Sequence, residues 1–300
     1  MNIAVTGATG FIGKYTVKHL LNEGHKVTAL GRDIHSLNEN FNSDISKQET
    51  DYSYESILNV LEGVDAIVHL AAKRLQKDLD PLDIEPYVEG NIILTQRLLK
   101  AAHQLEIDRF CQASSISVYS TLNSLPFAET EVPSALSIYG VSKLACENLA
   151  NLYGAKTKMK VTNLRLTSLC GVGERAGVIC ADYFNLAKEK KTLEIWGEGK
   201  TSIDFIYVKD AARAIEKALS MEHLPGTYNV GSGRCYSIKE LAETVNSVFG
   251  NEGNIKYHLE KKEGGYKLYM DSAKAEKELG WKPKWSLSEA FFDMKNICGL

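Results

Sequence analysis

Two side chains in mid-chain have the types and spacing to move a proton: Tyr139 and Lys143, in the stretch "SIYGVSK". Residues four apart share one face of a helix, so the phenol and the ammonium point the same way. A phenol, with an ordinary pKa of about 10, is a poor base at neutral pH. A neighbouring cation stabilises the phenolate and lowers that value. A hydroxyl nearby would hold a substrate oxygen for such a base, and "ASSISVY" offers Ser114 and Ser115 at the end of an apolar run. The bland reading is an exposed helix pair, with two serines that merely satisfy backbone at a strand end. What separates the readings is whether a reaction partner binds close by.

A partner is indicated at the start of the chain. "TGATGFIG" sets Gly7, Gly10 and Gly13 between a short apolar run and a stretch of helical periodicity. Such glycines permit a tight turn, a close backbone approach to a pyrophosphate, and close helix–strand packing. The helix N-terminus then offers free N–H groups to the phosphates. Strand before, helix after and a second strand, "HKVTAL", on schedule are the context that turns a weak motif into a dinucleotide site. Thr9, Phe11 and Ile12 lie in the same turn and are expected along the ligand. At the end of the second strand an acid would hold the adenosine ribose of NAD. The chain reads "TALGRD", with Gly31 and Arg32 there and Asp33 just beyond. Arg32 suits the 2′-phosphate of NADP, a stack on adenine, or plain solvent. NAD is expected, with NADP open. Asp51, in "TDYS", is expected to end the third strand and bond the adenine amine, the alternative being an ordinary turn aspartate.

Positioning these groups takes an alternating architecture. "DAIVHLAA" reads as a strand buried on both faces, "EGNIILTQRLLKAAHQL" as a helix, "RFCQASS" as a strand, and "VTNLRL" as another after the Tyr139 helix. Alternation of this kind predicts an α/β fold with an open, doubly wound, mostly parallel Rossmann sheet. Residues 1–165 are assigned to a dinucleotide-binding domain and 166–300 to a smaller α/β substrate-binding lobe. Segment 203–232 is expected to pack back on the first domain. Ser237 with Glu240 and Ser286 with Glu289 have capping-box spacing, so two helices should start there. Phe205 and Tyr207 read as core residues of a strand.

The bulk numbers exclude other classes. The 300 residues are 44% hydrophobic and 24% charged, with a net charge of −3 and no basic cluster, so neither nucleic acid nor a membrane surface is an expected partner. The six cysteines form no C-x-x-C pair and the seven histidines are scattered, so no metal site is expected, and reduced thiols fit a cytoplasmic protein. The opening "MNIAVTGATG" lacks the pattern of a signal peptide.

Taken together, "TGATGFIG", "HLAA", Asn91 in "EGNIILT", "SSISVY", "YGVSK", "IDFIYVKDAA", "YNVGSG" and "KELGWKP" resemble an extended short-chain dehydrogenase/reductase of the sugar-nucleotide epimerase/dehydratase group, similar to UDP-hexose 4-epimerases. The resemblance runs nearly end to end. It implies Tyr139 as acid/base, Lys143 as its partner, and Ser115 rather than Ser114 as the catalytic hydroxyl, four residues before Tyr119. Both Tyr139 and Lys143 would also touch the cofactor, beside Leu70, Ala71, Ala72 and Asn91. For Asn91, as for His69, a buried and satisfied core residue is the competing reading. The implied reaction is epimerisation at C4 of a UDP-hexose or UDP-N-acetylhexosamine by transient oxidation to a keto-sugar, in a homodimer. Family dehydratases carry Asp-Glu after the catalytic hydroxyl; this chain has Ile116 and Ser117, which disfavours dehydration. Where the family grips the substrate diphosphate with arginine, this chain has Ile203, and where it has asparagine, Ser168. Ser168 is expected at the substrate, and either Arg175, Lys200 or Lys267 takes over the diphosphate or the substrate is not an ordinary nucleotide sugar. Rival readings are an NADPH-dependent reductase of a keto-sugar or other carbonyl, and a dinucleotide-sensing protein without turnover.

Overall fold

Ile3, Ala4, Val5 and Thr6 are all fully buried, as are Ala66, Ile67 and Val68, so both strands lie under helices on two faces. The computed structural model describes residues 1–42, 45–74, 80–220 and 224–300. The first half runs β1 (Asn2–Thr6), α1 (Phe11–Asn22), β2 (Lys26–Gly31), α2 (Ile34–Asn40), β3 (Ser46–Glu49), α3 (Tyr54–Val60) and β4 (Ala66–His69). A short α4 (Glu85–Tyr87) continues through a π-helical turn, Val88–Ile93, into α5 (Leu94–Gln104). Next come β5 (Arg109–Ser115), a 3₁₀ turn (Ile116–Val118), α6 (Ile138–Lys156) and β6 (Lys160–Leu166).

The remainder is β7 (Ser168–Cys170), α7 (Ile179–Lys188), β8 (Leu193–Trp196), β9 (Ser202–Ile203), β10 (Phe205–Tyr207), α8 (Val208–Ala218), β11 (Gly226–Val230) and β12 (Tyr236–Ser237). It ends with α9 (Ile238–Phe249), β13 (Ile255–His258), β14 (Lys267–Leu268), α10 (Ala273–Leu279) and α11 (Leu287–Ile297). The main sheet has the order β11-β6-β5-β4-β1-β2-β3, and its pairs are parallel throughout. The chain winds one way from β1 through β2 to β3 and the other way from β4 onward. A crevice therefore opens beyond the carboxyl ends of β1 and β4, where such sheets bind ligands.

Segment 203–232 works in both lobes; residues 221–223 of it lie outside the described residues. β10 pairs with β7, α8 packs on α1, and β11 pairs with β6 at the edge of the main sheet. The smaller lobe has its own apolar core, including Phe184, Leu193, Ile195, Leu241, Phe249 and Phe291. Its helix α9 packs on α7 and α11, and α7 and α9 lie against β8 of the parallel pair β8–β13. Both capping boxes form: Glu240 accepts from Ser237 N, and Glu289 from Ser286 N. Phe205 and Tyr207 are buried. Among the described residues no helix is long and apolar enough to cross a membrane.

Candidate active site

A cleft of about 680 Å³ lies at that crevice. One wall is the loop joining β1 to α1. Gly13 is required there: a Cβ on it would sit 2.1 Å from the Gly7 carbonyl oxygen, so any side chain would push the loop off the helix. The first turn of α1 has no side-chain cap and no acidic residue, which leaves its N–H groups for an anion. Gly7, Thr9, Gly10, Phe11, Ile12 and Gly13 all line the cleft, joined by Leu70, Ala71 and Ala72 from the end of β4. These residues fit a dinucleotide pyrophosphate: an uncapped 12-residue helix over a loop that tolerates no side chain at its closest point.

The opposite wall is α6. Ser137 caps the helix by accepting from Gly140 N, and Tyr139 and Lys143 follow one turn apart, both lining the cleft. Tyr139 is half-buried, its ring centroid 6.4 Å from that of Tyr87; Lys143 is buried. Gly140 explains the small residue beside the tyrosine. A Cβ there would lie 2.1 Å from the Ser117 carbonyl oxygen, so the glycine lets the turn after β5 press against α6. That close approach brings Ser115 to the same cleft as Tyr139.

The two serines part company. Ser114 Oγ donates to the buried Glu147 carboxylate, which also accepts from Arg165 Nε at 3.0 Å and Nη2 at 2.7 Å. Arg165 Nη1 in turn donates to Tyr119 Oη at 2.5 Å. Ser115 caps the 3₁₀ turn by accepting from Ser117 N, and its hydroxyl is half-buried in the cleft wall. Glu147 sits one turn beyond Lys143, so a single helix face carries the phenol, the ammonium and the carboxylate that fixes the end of β5.

Asn91 is buried away from the cleft lining, in the π-helical turn. Its Oδ1 accepts from Lys73 N at 2.6 Å, and its Nδ2 donates to Ser142 Oγ at 2.9 Å. Ser142 Oγ donates to the Tyr139 carbonyl. Asn91 therefore braces the cleft between the β4 loop and α6. His69 is a satisfied core residue bonded to Thr6 and Thr95. Burial, reinforced by the Lys143 charge, pushes its pKa down to about 3, so it stays neutral.

Other expected residues are scattered. Arg32 lines the cleft, its guanidinium 5.5 Å from the Tyr52 ring centroid, and Ser168 and Arg175 line the lobe side. Asp51 is not on the lining. Its carboxylate turns back to accept from Ser53 N at 2.8 Å, a bond that holds its pKa below the ordinary value. Lys200 is exposed, ion-paired with Glu198, and borders a separate hollow with Lys239 and Tyr257. Lys267, in β14, is exposed and pairs its backbone with Ser202; it too is absent from the lining. Ile203 pairs with Tyr236 and Leu268, off the cleft.

Two charged groups that sequence reasoning passed over do reach the cleft. Arg74, from the loop after β4, donates to both carboxylate oxygens of Glu174, from the loop after β7, at 2.9 and 3.2 Å. The pair ties the loop after β4 to the loop after β7 at the cleft. Apart from Glu174 the charged groups on the described lining are Arg32, Lys73, Arg74, Lys143 and Arg175, a cationic set suited to phosphates.

Residues 3–231 match the profile of the NAD dependent epimerase/dehydratase family. A protein of Bacillus subtilis described as an uncharacterized UDP-glucose epimerase, YtcB, is 30% identical over 96% of this chain and 95% of its own. The crystal structure of UDP-N-acetylglucosamine 4-epimerase from Bacillus cereus matches with a TM-score of 0.89 at 35% identity, covering 100% of this chain and 97% of that one. UDP-glucuronic acid 4-epimerase from the same organism, solved with UDP-glucuronic acid and NAD, matches with a TM-score of 0.85 at 28% identity, covering 99% and 100%.

Proposed function

Because this chain belongs to the NAD dependent epimerase/dehydratase family, we propose that it inverts C4 of a UDP-sugar, a UDP-hexose or UDP-N-acetylhexosamine, using a bound nicotinamide dinucleotide that is regenerated in each cycle. One observation carries the reading: Ser115, Tyr139 and Lys143 line the same cleft as the glycine loop. The cofactor supplies a reversible hydride acceptor. Tyr139 takes the proton from the C4 hydroxyl and later returns it. Lys143, one turn on, stabilises the phenolate, and Ser115 holds the same oxygen from the other side. Ser168 and Arg175 face the substrate end and supply a hydroxyl and a cation for its phosphates, in place of the arginine missing at Ile203. Ile116 and Ser117, both on the lining, provide no acid–base pair for elimination, which supports epimerisation over dehydration.

The test is incubation of the purified protein with UDP-glucose, UDP-N-acetylglucosamine and UDP-glucuronic acid, each followed by proton NMR of the anomeric signals. The C4 epimer should accumulate from at least one, with no net change in reduced nicotinamide. Failure with all three removes the reading, and net consumption of reduced cofactor against a keto-sugar replaces it with a reductase. A homodimer formed through helices of the first lobe, and a cytoplasmic location, belong to the same proposal; light scattering reads the first and cell fractionation the second.

A further inference from the structure

We propose that Glu147, Arg165 and Tyr119 are positioning residues that grip both ends of the turn presenting Ser115, an inference that rests on the role given to Ser115 above. Ser115, Ile116 and Ser117 line the cleft, whereas Glu147, Arg165 and Tyr119 do not, so any effect of these three on turnover must pass through what they hold. The turn itself is slight. Tyr119 N donates to the Ile116 carbonyl at 2.9 Å and Ser117 N to Ser115 Oγ at 3.1 Å, in a single 3₁₀ turn whose hydrogen-bond geometry is intrinsically poor. Its place must be set from its ends.

One buried ion pair does this at both. Ser114 and Arg165 face each other across β5 and β6, and Glu147 reaches over from α6 to accept from both. That fixes the residue before Ser115. The guanidinium gives Nε and Nη2 to the carboxylate, which leaves Nη1 to donate to the Tyr119 hydroxyl and fix the residue after the turn. A planar fork can serve two partners in this way, and an ammonium cannot. The far anchor is firm in its turn. The Tyr119 hydroxyl faces Asn229 Oδ1 at 3.0 Å and the Ala128 carbonyl at 3.1 Å as acceptors for its proton. Asn229 Nδ2 donates to the Phe127 carbonyl at 2.9 Å, and the Tyr119 and Phe127 rings stack with centroids 5.0 Å apart.

Tyr119→Phe and Ser114→Ala each free one end of the turn in the full-length protein. Each should lower kcat for the UDP-sugar about 10–10²-fold, the loss expected when a reacting group shifts by up to about an ångström, with KM and dinucleotide affinity within about twofold of wild type. In a Ser115→Ala background neither should lower the residual rate more than about twofold, because the group they position is gone. Arg165→Lys keeps the charge beside Glu147 without the fork and should behave as Tyr119→Phe does. Amide hydrogen exchange at residues 116–119 should quicken in all three variants. Wild-type kcat and exchange, a loss of the same size with and without the Ser115 hydroxyl, or a loss confined to KM and dinucleotide affinity overturns the proposal. Should Tyr119→Phe fail to fold, Ser114→Ala decides. A wild type that epimerises none of the three UDP-sugars removes the proposed reaction instead, and hydrogen exchange then still decides whether these anchors hold the turn.

Discussion

Charges behind the Tyr139 helix and charges on the outer face of the smaller lobe are held in different ways. On the sheet side, Glu147 and Arg165 have side chains 2% and 6% exposed, and each makes several hydrogen bonds. On the lobe side, Lys200 and Glu198 are 71% and 59% exposed and touch only at their tips. Buried charges are expensive to leave unpaired, so the sheet side is a network in which each member fixes the next. Exposed pairs are screened by water and contribute little. A protein that must place a phenol to within a fraction of an ångström does so from the first kind of surface.

Five variants test that contrast. Replacing Tyr139 by Phe removes the proton shuttle from the rigid wall and should lower turnover by about 10²–10⁴-fold. Dinucleotide binding should stay within about twofold; normal turnover would remove Tyr139 from the chemistry. Glu147→Ala leaves the Arg165 charge buried without its partner and should cost about 3–5 kcal/mol in urea denaturation. A companion variant, Glu147→Leu with Arg165→Met, should recover much of that stability yet keep a lowered kcat at near-normal KM, because Ser114 has lost its anchor. Full activity in the companion would show the network to be structural only.

Asp204 offers a milder test through pH. It is fully buried beneath Ser232, whose N–H and hydroxyl both donate to it, yet burial still raises its pKa from 3.8 to about 6. A raised carboxyl binds its proton more tightly folded than unfolded. Its stabilising contribution is therefore full below pH 3.8 and lost as pH rises through about 6. Urea midpoints for Asp204→Asn against wild type should diverge in the variant's favour by about 2–3 kcal/mol between pH 4 and pH 7; a constant difference would mean that Asp204 does not titrate there. Smallest of all, Lys200→Ala should leave the KM for the UDP-sugar within about twofold, since this exposed, water-screened pair lies off the cleft. A large rise in KM would bring Lys200 back to the substrate.

The sequence exposes features that local physics dictates. Apolar runs at β1 and β4, glycines at a strand-to-helix turn, and a tyrosine and lysine four apart on a helix each follow from a short window. Residues 200, 267 and 51 did not follow, because their side-chain directions depend on pairings across long separations. Lys267 sits in a two-residue strand whose partner, Ser202, lies 65 residues away in sequence. A place near a strand end points Asp51 toward the ligand, whereas its carboxylate caps its own following backbone. Glu147, one turn beyond Lys143, was open to the same i, i+4 argument that singled out Tyr139. Its partner Arg165 lies in the strand beside Ser114, a register no local pattern reveals.

The path of the chain through segment 203–232 bears on how this molecule can be made. β6 has β5 on one flank and β11 on the other, so a nascent chain stopped before residue 226 carries an open strand edge that invites mispairing. The main sheet is therefore complete only once synthesis has passed residue 230, well into the second lobe. Severing the polypeptide near residue 165 would not yield two self-sufficient pieces.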